Sequence, residues 1–315
     1  MLLNNNSSPI SSLYTSSACI TAILISSIYL LASYWLIGFK QDQLVLVAIF
    51  NGCFFVSQLT RKFIVGFGIF IVFWILFDYM KAFPNYWYQE VHIKDLYLLE
   101  KKVFGIAVNG QVLTPNEYWQ KHSHTFLNVV TGLFYLSWVP VPLGFATYLF
   151  FVNRRQFLYF SLTFLLTNLL GFIVYYVYPA APPWYVQQYG FQFHAQTPGS
   201  AAGLLRFDAY FNSQLFRSLY SKGSNVFAAM PSLHSAYPIV VLYFGIRNKL
   251  GFVNMLFAFL VVGIWFSAVY NSHHYVADVL AGIVCANLAF WMFHSVLLQN
   301  RWFAQRIDAY HKHIL

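Results

Sequence analysis

Long apolar runs, broken at intervals by short polar or charged stretches, set the pattern of this chain. Eight runs stand out, at roughly 18–38, 43–60, 63–80, 126–152, 157–178, 231–247, 251–271 and 273–297. A membrane-crossing helix needs about 20 consecutive apolar residues. The pattern therefore predicts an all-α, polytopic membrane protein of about eight transmembrane helices. The second run is short and carries Asn51. The fourth contains Pro140 and Pro142, so a kinked or tilted helix is expected there. Two long stretches, 81–125 and 179–230, lack such runs and read as loops.

Composition fits this picture. Of 315 residues, 59% are hydrophobic and only 9% are charged, against roughly 25% charged in a soluble domain. Cys19, Cys53 and Cys285 all lie inside apolar runs, where cysteine acts as a small packing residue, and no disulfide framework is expected. His122-x-His124 comes nearest to a metal-binding spacing and falls short of one, so no metal or other cofactor is expected. The opening Met-Leu-Leu-Asn-Asn-Asn has no basic stretch, so the first run is expected to stay as a span rather than be cleaved.

The formal net charge of +9 reads as loop charge that orients the chain, and no nucleic-acid partner is expected. Arg61 and Lys62 follow the second run, Arg154 and Arg155 the fourth, and Arg247 and Lys249 the sixth. Arg301, Arg306 and Lys312 follow the eighth. If eight spans alternate, all four clusters share one side, with Asp308 as its one acid. The short loops decide orientation, because the positive-inside rule is a short-loop rule. Both termini are then cytoplasmic, and loops 81–125 and 179–230 face the periplasm or, in a eukaryote, the Golgi lumen. This divides the chain into an N-terminal helix pair (1–62), a six-helix core (63–298) and a cytoplasmic tail (299–315). Oligomeric state is not legible.

In so apolar a chain, polar residues at the ends of runs need a reason. His234 stands in Pro231-Ser232-Leu233-His234-Ser235, and His274 and Asp278 in His273-His274-Tyr275-Val276-Ala277-Asp278. Both strings open runs that start on the outer face. Helix N-termini present unpaired N–H groups and a positive dipole end. Pro231 suits a first helical position, and Asn271 or Ser272 an N-cap. Two such ends converging would make a phosphate site. Spaced four apart, His274 and Asp278 would share a helix face, with the carboxylate accepting the Nδ1 proton and leaving Nε2 as a nucleophile. His234 would protonate a departing alkoxide and then deprotonate an incoming hydroxyl. These are the parts for breaking and making a phosphorus–oxygen bond through a phosphohistidine. Two blander readings stand beside this one. A His–Asp pair near a span end can be an interface hydrogen bond. A transporter could use the cluster as a proton relay, but that needs ionisable residues in mid-bilayer, and Asp78, the only other acid inside a run, lies near its end. The remaining histidines read as solvated loop or cytoplasmic residues.

These strings resemble the type 2 phosphatidic acid phosphatase superfamily, whose pattern is Lys-x6-Arg-Pro, then Pro-Ser-Gly-His, then Ser-Arg-x5-His-x3-Asp. The chain keeps Pro231-Ser232-x-His234 and Ser267-x6-His274-x3-Asp278. It has Leu233 for the glycine and Ala268 for the arginine, and it has no Lys-x6-Arg-Pro string. The absent basic residues would grip a phosphomonoester dianion, so their loss implies a less charged substrate such as a phosphodiester. The strings Pro179-Ala180-Ala181-Pro182-Pro183-Trp184-Tyr185, Gly203-Leu204-Leu205-Arg206-Phe207-Asp208 and Thr114-Pro115-Asn116-Glu117-Tyr118 are similar to those of one branch, the inositol phosphorylceramide synthases. That resemblance implies a six-helix phosphatidic-acid-phosphatase-like core. It also implies phosphatidylinositol and ceramide as lipid substrates and diacylglycerol as a product. A lipid phosphatase, with water as acceptor, is the alternative. Arg206 and Lys222 are then the candidates to hold the phosphate or headgroup, although Arg206 could equally rest on anionic lipid. Asp208 would accept from inositol hydroxyls or pair with Arg206. Ser232 and His273 complete the expected substrate-binding set.

Overall fold

The computed structural model describes residues 13–221, 223 and 225–315. By contacts the chain falls into two units, Met1–Ala82 with Gln305–Leu315, and Phe83–Ala304. The first unit holds α1 (Ser16–Ile37), α2 (Gln41–Val56), α3 (Gln58–Gly66) and α4 (Gly68–Tyr79). Thr15 caps α1 by accepting from the amide of Ala18. Ile23, Ile28, Leu31 and Trp35 of α1 are all exposed. A helix apolar on every side has lipid as its solvent.

All eight apolar runs fold as helices. Five helices are long and apolar enough to cross a bilayer: Ser16–Ile37, Thr125–Val152, Arg154–Val177, Val253–Tyr270 and Val276–Leu297. A sixth arises if Gln58–Gly66 and Gly68–Ala82, bent by 45°, are one broken span. The chain is an integral membrane protein. The runs expected at 43–60 and 231–247 yield helices of 16 and 15 residues. At 1.5 Å per residue these span about 24 and 22 Å, against a hydrocarbon core of roughly 30 Å, a mismatch that local thinning of the bilayer and flanking residues absorb. The expected break at Pro140 is present: helices Thr125–Leu136 and Pro140–Val152 flank it. Pro140 sits in the first turn of the second helix, where its missing N–H costs little.

The second unit is built on α7 (Thr125–Leu136), α8 (Pro140–Val152), α9 (Arg154–Val177), α13 (Leu233–Arg247), α14 (Val253–Tyr270) and α15 (Val276–Trp291). Helix α13 is its axis, packed against α8, α9, α14 and α15. Two glycines let it in closely. A Cβ on Gly282 of α15 would lie 2.2 Å from the carbonyl oxygen of Ser232, and one on Gly171 of α9 would lie 2.7 Å from a methyl of Leu233.

The two outer stretches are folded rather than loose. The first holds α5 (Lys94–Phe104), the hairpin β1 (Ile106–Val108) and β2 (Gln111–Leu113), and α6 (Pro115–Lys121). Asn109 and Gly110 turn the hairpin with φ of 48° and 77°, as a tight two-residue turn requires. Thr114 and Glu117 form a capping box on α6. The second stretch holds α10 (Pro183–Tyr189), α11 (Leu205–Tyr210) and α12 (Leu215–Ser221). Ala180 pairs in parallel with both His92 and Ala228, which ties the two stretches together. Asn85 clamps the same region, donating to the carbonyls of Tyr175 and Phe227. A π-helical turn, Met292–Leu297, precedes the last helix, α16 (Arg301–Ile314).

Because the atom facing Gly282 is backbone, Gly282→Ala should cost about 1–3 kcal/mol, read as a lower thermal midpoint in detergent. Gly144→Ala, inside α8 with nothing within 4 Å of its Cβ, should instead hold or raise the midpoint, since alanine favours a helix interior by about 0.5–1 kcal/mol.

Candidate active site

Two local structures bring the histidines together. Ser232 caps α13 through its Oγ, which accepts from the Ser235 amide at 3.3 Å and from the Ser235 hydroxyl at 3.0 Å. His234 is then the second residue of the helix, partly exposed, with its ring against Tyr135 and Trp138. Pro231 lies before the cap rather than at the first helical position expected for it.

His274 is not in a helix. Helix α14 ends at Tyr270 and α15 starts at Val276, so His274 stands in the connecting turn, with Tyr275 as the N-cap residue in place of Asn271 or Ser272. The turn is stiff. Both the His273 and His274 amides donate to the carbonyl of Ala268 at 3.1 Å. Asn116 of α6 donates to the carbonyls of Val269 and His274 at 2.8 and 2.9 Å. The Trp184 amide and the Gln187 side chain hold Ser272, whose φ is +59°. The Pro179–Tyr185 string is thus a brace for this turn.

Nε2 of His274 lies 3.2 Å from Nδ1 of His234. Its Nδ1 lies 2.9 Å from the carbonyl oxygen of Ala229 and 3.7 Å from Oδ2 of Asp278. The expected His–Asp hydrogen bond is therefore an ion-pair contact, and a backbone carbonyl receives the Nδ1 proton instead. Oδ2 of Asp278 accepts from the Tyr275 amide at 2.8 Å. With Nδ1 protonated, Nε2 of His274 carries a lone pair and accepts from Nδ1–H of His234. His234, His274 and Asp278 are thus assembled at one point, but the imidazole's tautomer is set by Ala229.

The remaining expected residues divide. His273 is buried; its Nε2 donates to the Ala201 carbonyl at 3.1 Å, and its ring lies between Tyr135 and Tyr220. Burial, with the His274 imidazole adding to it, pushes its pKa down to about 3, so the ring stays neutral. Arg206 donates to the carbonyls of Gly203 and Tyr270 and lies 5.0 Å from the Tyr270 ring centre. Burial lowers its pKa. Asp208 is spoken for: it accepts from the Ser213 hydroxyl and from the Phe216 and Arg217 amides, which caps α12. Its carboxylate is committed there, and neither an inositol contact nor pairing with Arg206 is needed to explain it. Lys222 lies outside the described residues.

Three contributors were not legible in sequence. One is the Ala229 carbonyl, which has no side-chain signature. Another is Asn116, visible only as part of a string. The third is Glu100 of α5, which is fully buried and accepts from the amides of Val276 and Ala277 at 2.8 and 3.2 Å. Its neighbours Lys101 and Lys102 make it look like part of a solvated charge run. The start of α15 is therefore satisfied by carboxylates and is not the open phosphate site expected there; only the start of α13 retains that role. Among the described residues no three His, Cys, Asp or Glu side chains cluster to hold a metal ion.

Residues 111–292 match the PAP2 superfamily. A phosphoinositol dihydroceramide synthase of Bacteroides thetaiotaomicron is 42% identical over 297 residues, covering 94% of this chain and 97% of the relative. The inositol phosphorylceramide synthase catalytic subunits of Schizosaccharomyces pombe and Saccharomyces cerevisiae are 25% and 28% identical over 74% and 78% of this chain. The chain spans 54% and 60% of their respective lengths. No solved structure matches the chain significantly.

Asp208→Ala should cost about 1 kcal/mol of stability through the lost cap and leave Michaelis constants for lipid substrates unchanged. A raised Michaelis constant at unchanged stability would return Asp208 to the substrate.

Proposed function

The chain belongs to the PAP2 superfamily, in the branch of the inositol phosphorylceramide synthases, and from that premise we propose that it moves an inositol phosphate headgroup from phosphatidylinositol to a ceramide-class acceptor and releases diacylglycerol. The observation that carries this is Nε2 of His274 facing His234 at 3.2 Å, with Nδ1 already committed to Ala229.

In the first step the Nε2 lone pair attacks phosphorus, and the bond from phosphorus to the glycerol oxygen breaks. The hydrogen bond between the two imidazoles opens to admit phosphorus. His234 enters the step as imidazolium and gives one of its two ring protons to the glycerol oxygen, leaving a neutral imidazole, and diacylglycerol leaves. The phosphohistidine keeps its Nδ1 proton on the Ala229 carbonyl, while Asp278 offsets the positive charge on the ring. In the second step His234 takes the proton of the acceptor's hydroxyl, the alkoxide attacks phosphorus, and the phosphorus–nitrogen bond breaks. The two half-reactions are mirror images, so one acid–base residue serves both.

The identity of the donor is supported by what surrounds the histidines. Ala268, standing where the superfamily pattern has arginine, is wholly buried among Tyr135, Leu204, Phe207 and Val279. The position thus offers no cation to a phosphate, which suits a phosphodiester monoanion better than a monoester dianion. Arg206 is the proposed cation for the headgroup phosphate. The core is proposed to run over 63–298, with the site on the non-cytoplasmic face. Support for that side comes from the four basic clusters in the opposite short loops.

With purified protein, labelled phosphatidylinositol and a ceramide, a labelled phosphosphingolipid is the expected product. Release of free phosphate from phosphatidic acid without such a product would favour the phosphatase. His274→Ala should abolish transfer and form no phosphoenzyme. His234→Ala should still give one burst of 4-nitrophenolate per chain from inositol 4-nitrophenyl phosphate, because that leaving group needs no proton, but no transfer to ceramide. Full transfer by His274→Ala would sink the mechanism. Asp278→Asn should slow turnover by about 100-fold through lost charge stabilisation, without the larger loss expected where a carboxylate also sets the tautomer. Single-turnover rates of phosphoenzyme formation would measure this.

A further inference from the structure

Three successive amides at the start of α15 are held by carboxylates. Asp278 takes that of Tyr275, and Glu100, 176 residues from Val276 in the chain, takes those of Val276 and Ala277. Glu100 is fully buried, and no lysine, arginine or histidine pairs with it among the described residues. An unpaired buried carboxylate is costly. Two amides at a helix N-terminus are the compensation it finds here.

We propose that Glu100 is a positioning residue for the reaction: from an outer helix it fixes the first turn of α15, and through it the imidazole of His274 and the carboxylate of Asp278. His274 is two residues before Val276, and Asp278 is one after Ala277. A small rotation of the Val276–Ala277 peptides would move both. Asn116 holds the carbonyl of His274 from α6, so the turn is gripped at its two ends by side chains of the same outer stretch. This inference rests on His274 being the nucleophile.

The bracket is also titratable. Burial raises the Glu100 pKa to about 7; its two amide donors pull the other way and are outweighed, and the negative charge of Asp278 adds to the rise. The other ionisable groups around Tyr275 are Tyr97 of α5 and Glu117 of α6, which bond each other, with Lys101 at the Tyr97 hydroxyl. Ionised, Glu100 offers an acceptor to each amide. Protonated, it offers one good acceptor and a hydroxyl. Because the folded pKa is raised, the stability this group contributes is full below about pH 4.5 and is lost as pH rises through about 7. The form that grips the helix best is thus the form the fold tolerates least.

Wild type, Glu100→Gln, Glu100→Asp and His274→Ala, each in lipid nanodiscs, should be assayed for transfer from about pH 5.5 to 8.5. The expected result for Glu100→Gln is a kcat lower by roughly 10- to 100-fold, unchanged KM for both lipids, and loss of the inflection near 7. Glu100→Asp should recover part of kcat and restore an inflection at a shifted pH. A Glu100→Gln profile that superposes on wild type, or a change in KM alone, overturns the proposal. If Glu100→Gln does not fold, Glu100→Asp decides, since an unshifted inflection then overturns it. An active His274→Ala would instead show that the reading of the nucleophile has failed.

Discussion

The hydrogen bond from Nδ1 of His274 to the carbonyl of Ala229 is the interaction on which the site depends. It decides which nitrogen carries the lone pair, and it turns that nitrogen toward His234. The carbonyl is itself held, because Ala229 donates its amide to Ala180, and Ala180 is paired on its other side with His92. The His274 imidazole, in the turn before α15, is thereby oriented by a small patch of extended backbone from outside the helical core. Side chains at such an interface can move with lipid and water, whereas a paired backbone carbonyl cannot.

The helix ends near the histidines show the same economy. Near a low-dielectric core, an amide without a partner is costly. Ser232 satisfies α13 from within, whereas α15 is satisfied from both within and without, by Asp278 and Glu100. Close packing then sets the distance between the two ends. Gly282 meets the Ser232 carbonyl, and the Ser232 amide donates to the carbonyl of Asp278. The start of α13 is thus joined directly to the residue that faces His274.

Periodicity and motif spacing carried most of the fold and the centre of the site. The apolar runs located the long membrane helices, since a lipid-facing helix such as α1 carries no charged residue to interrupt the run. They did not fix the helix lengths, because a run's hydrophobicity does not report where its helix ends, and α2 and α13 are shorter than the five longest apolar helices. His234, His274 and Asp278 were legible because polar residues are rare there. The misplaced details were those of backbone geometry. A spacing of four suggested one helix face, but the helix begins between His274 and Asp278. The cap that Asp208 gives α12 was not legible, because it depends on where that short helix starts, which no pattern of apolar residues announces. Glu100 and the Ala229 carbonyl act across long separations, and a single sequence has no signal for such pairings.

Those separations have a consequence for how the protein is made. The partners of the His274 turn lie 45, 158 and 176 residues apart in pairs that all close on residues 274–276. Contacts of such high order form late, and here none can form until the penultimate helix has left the ribosome. A chain still being synthesised therefore carries His234 and His274 without the contacts that set the orientation of the second. On the proposed mechanism, reactivity toward the surrounding phospholipid is then a property of the assembled fold and not of the histidines alone.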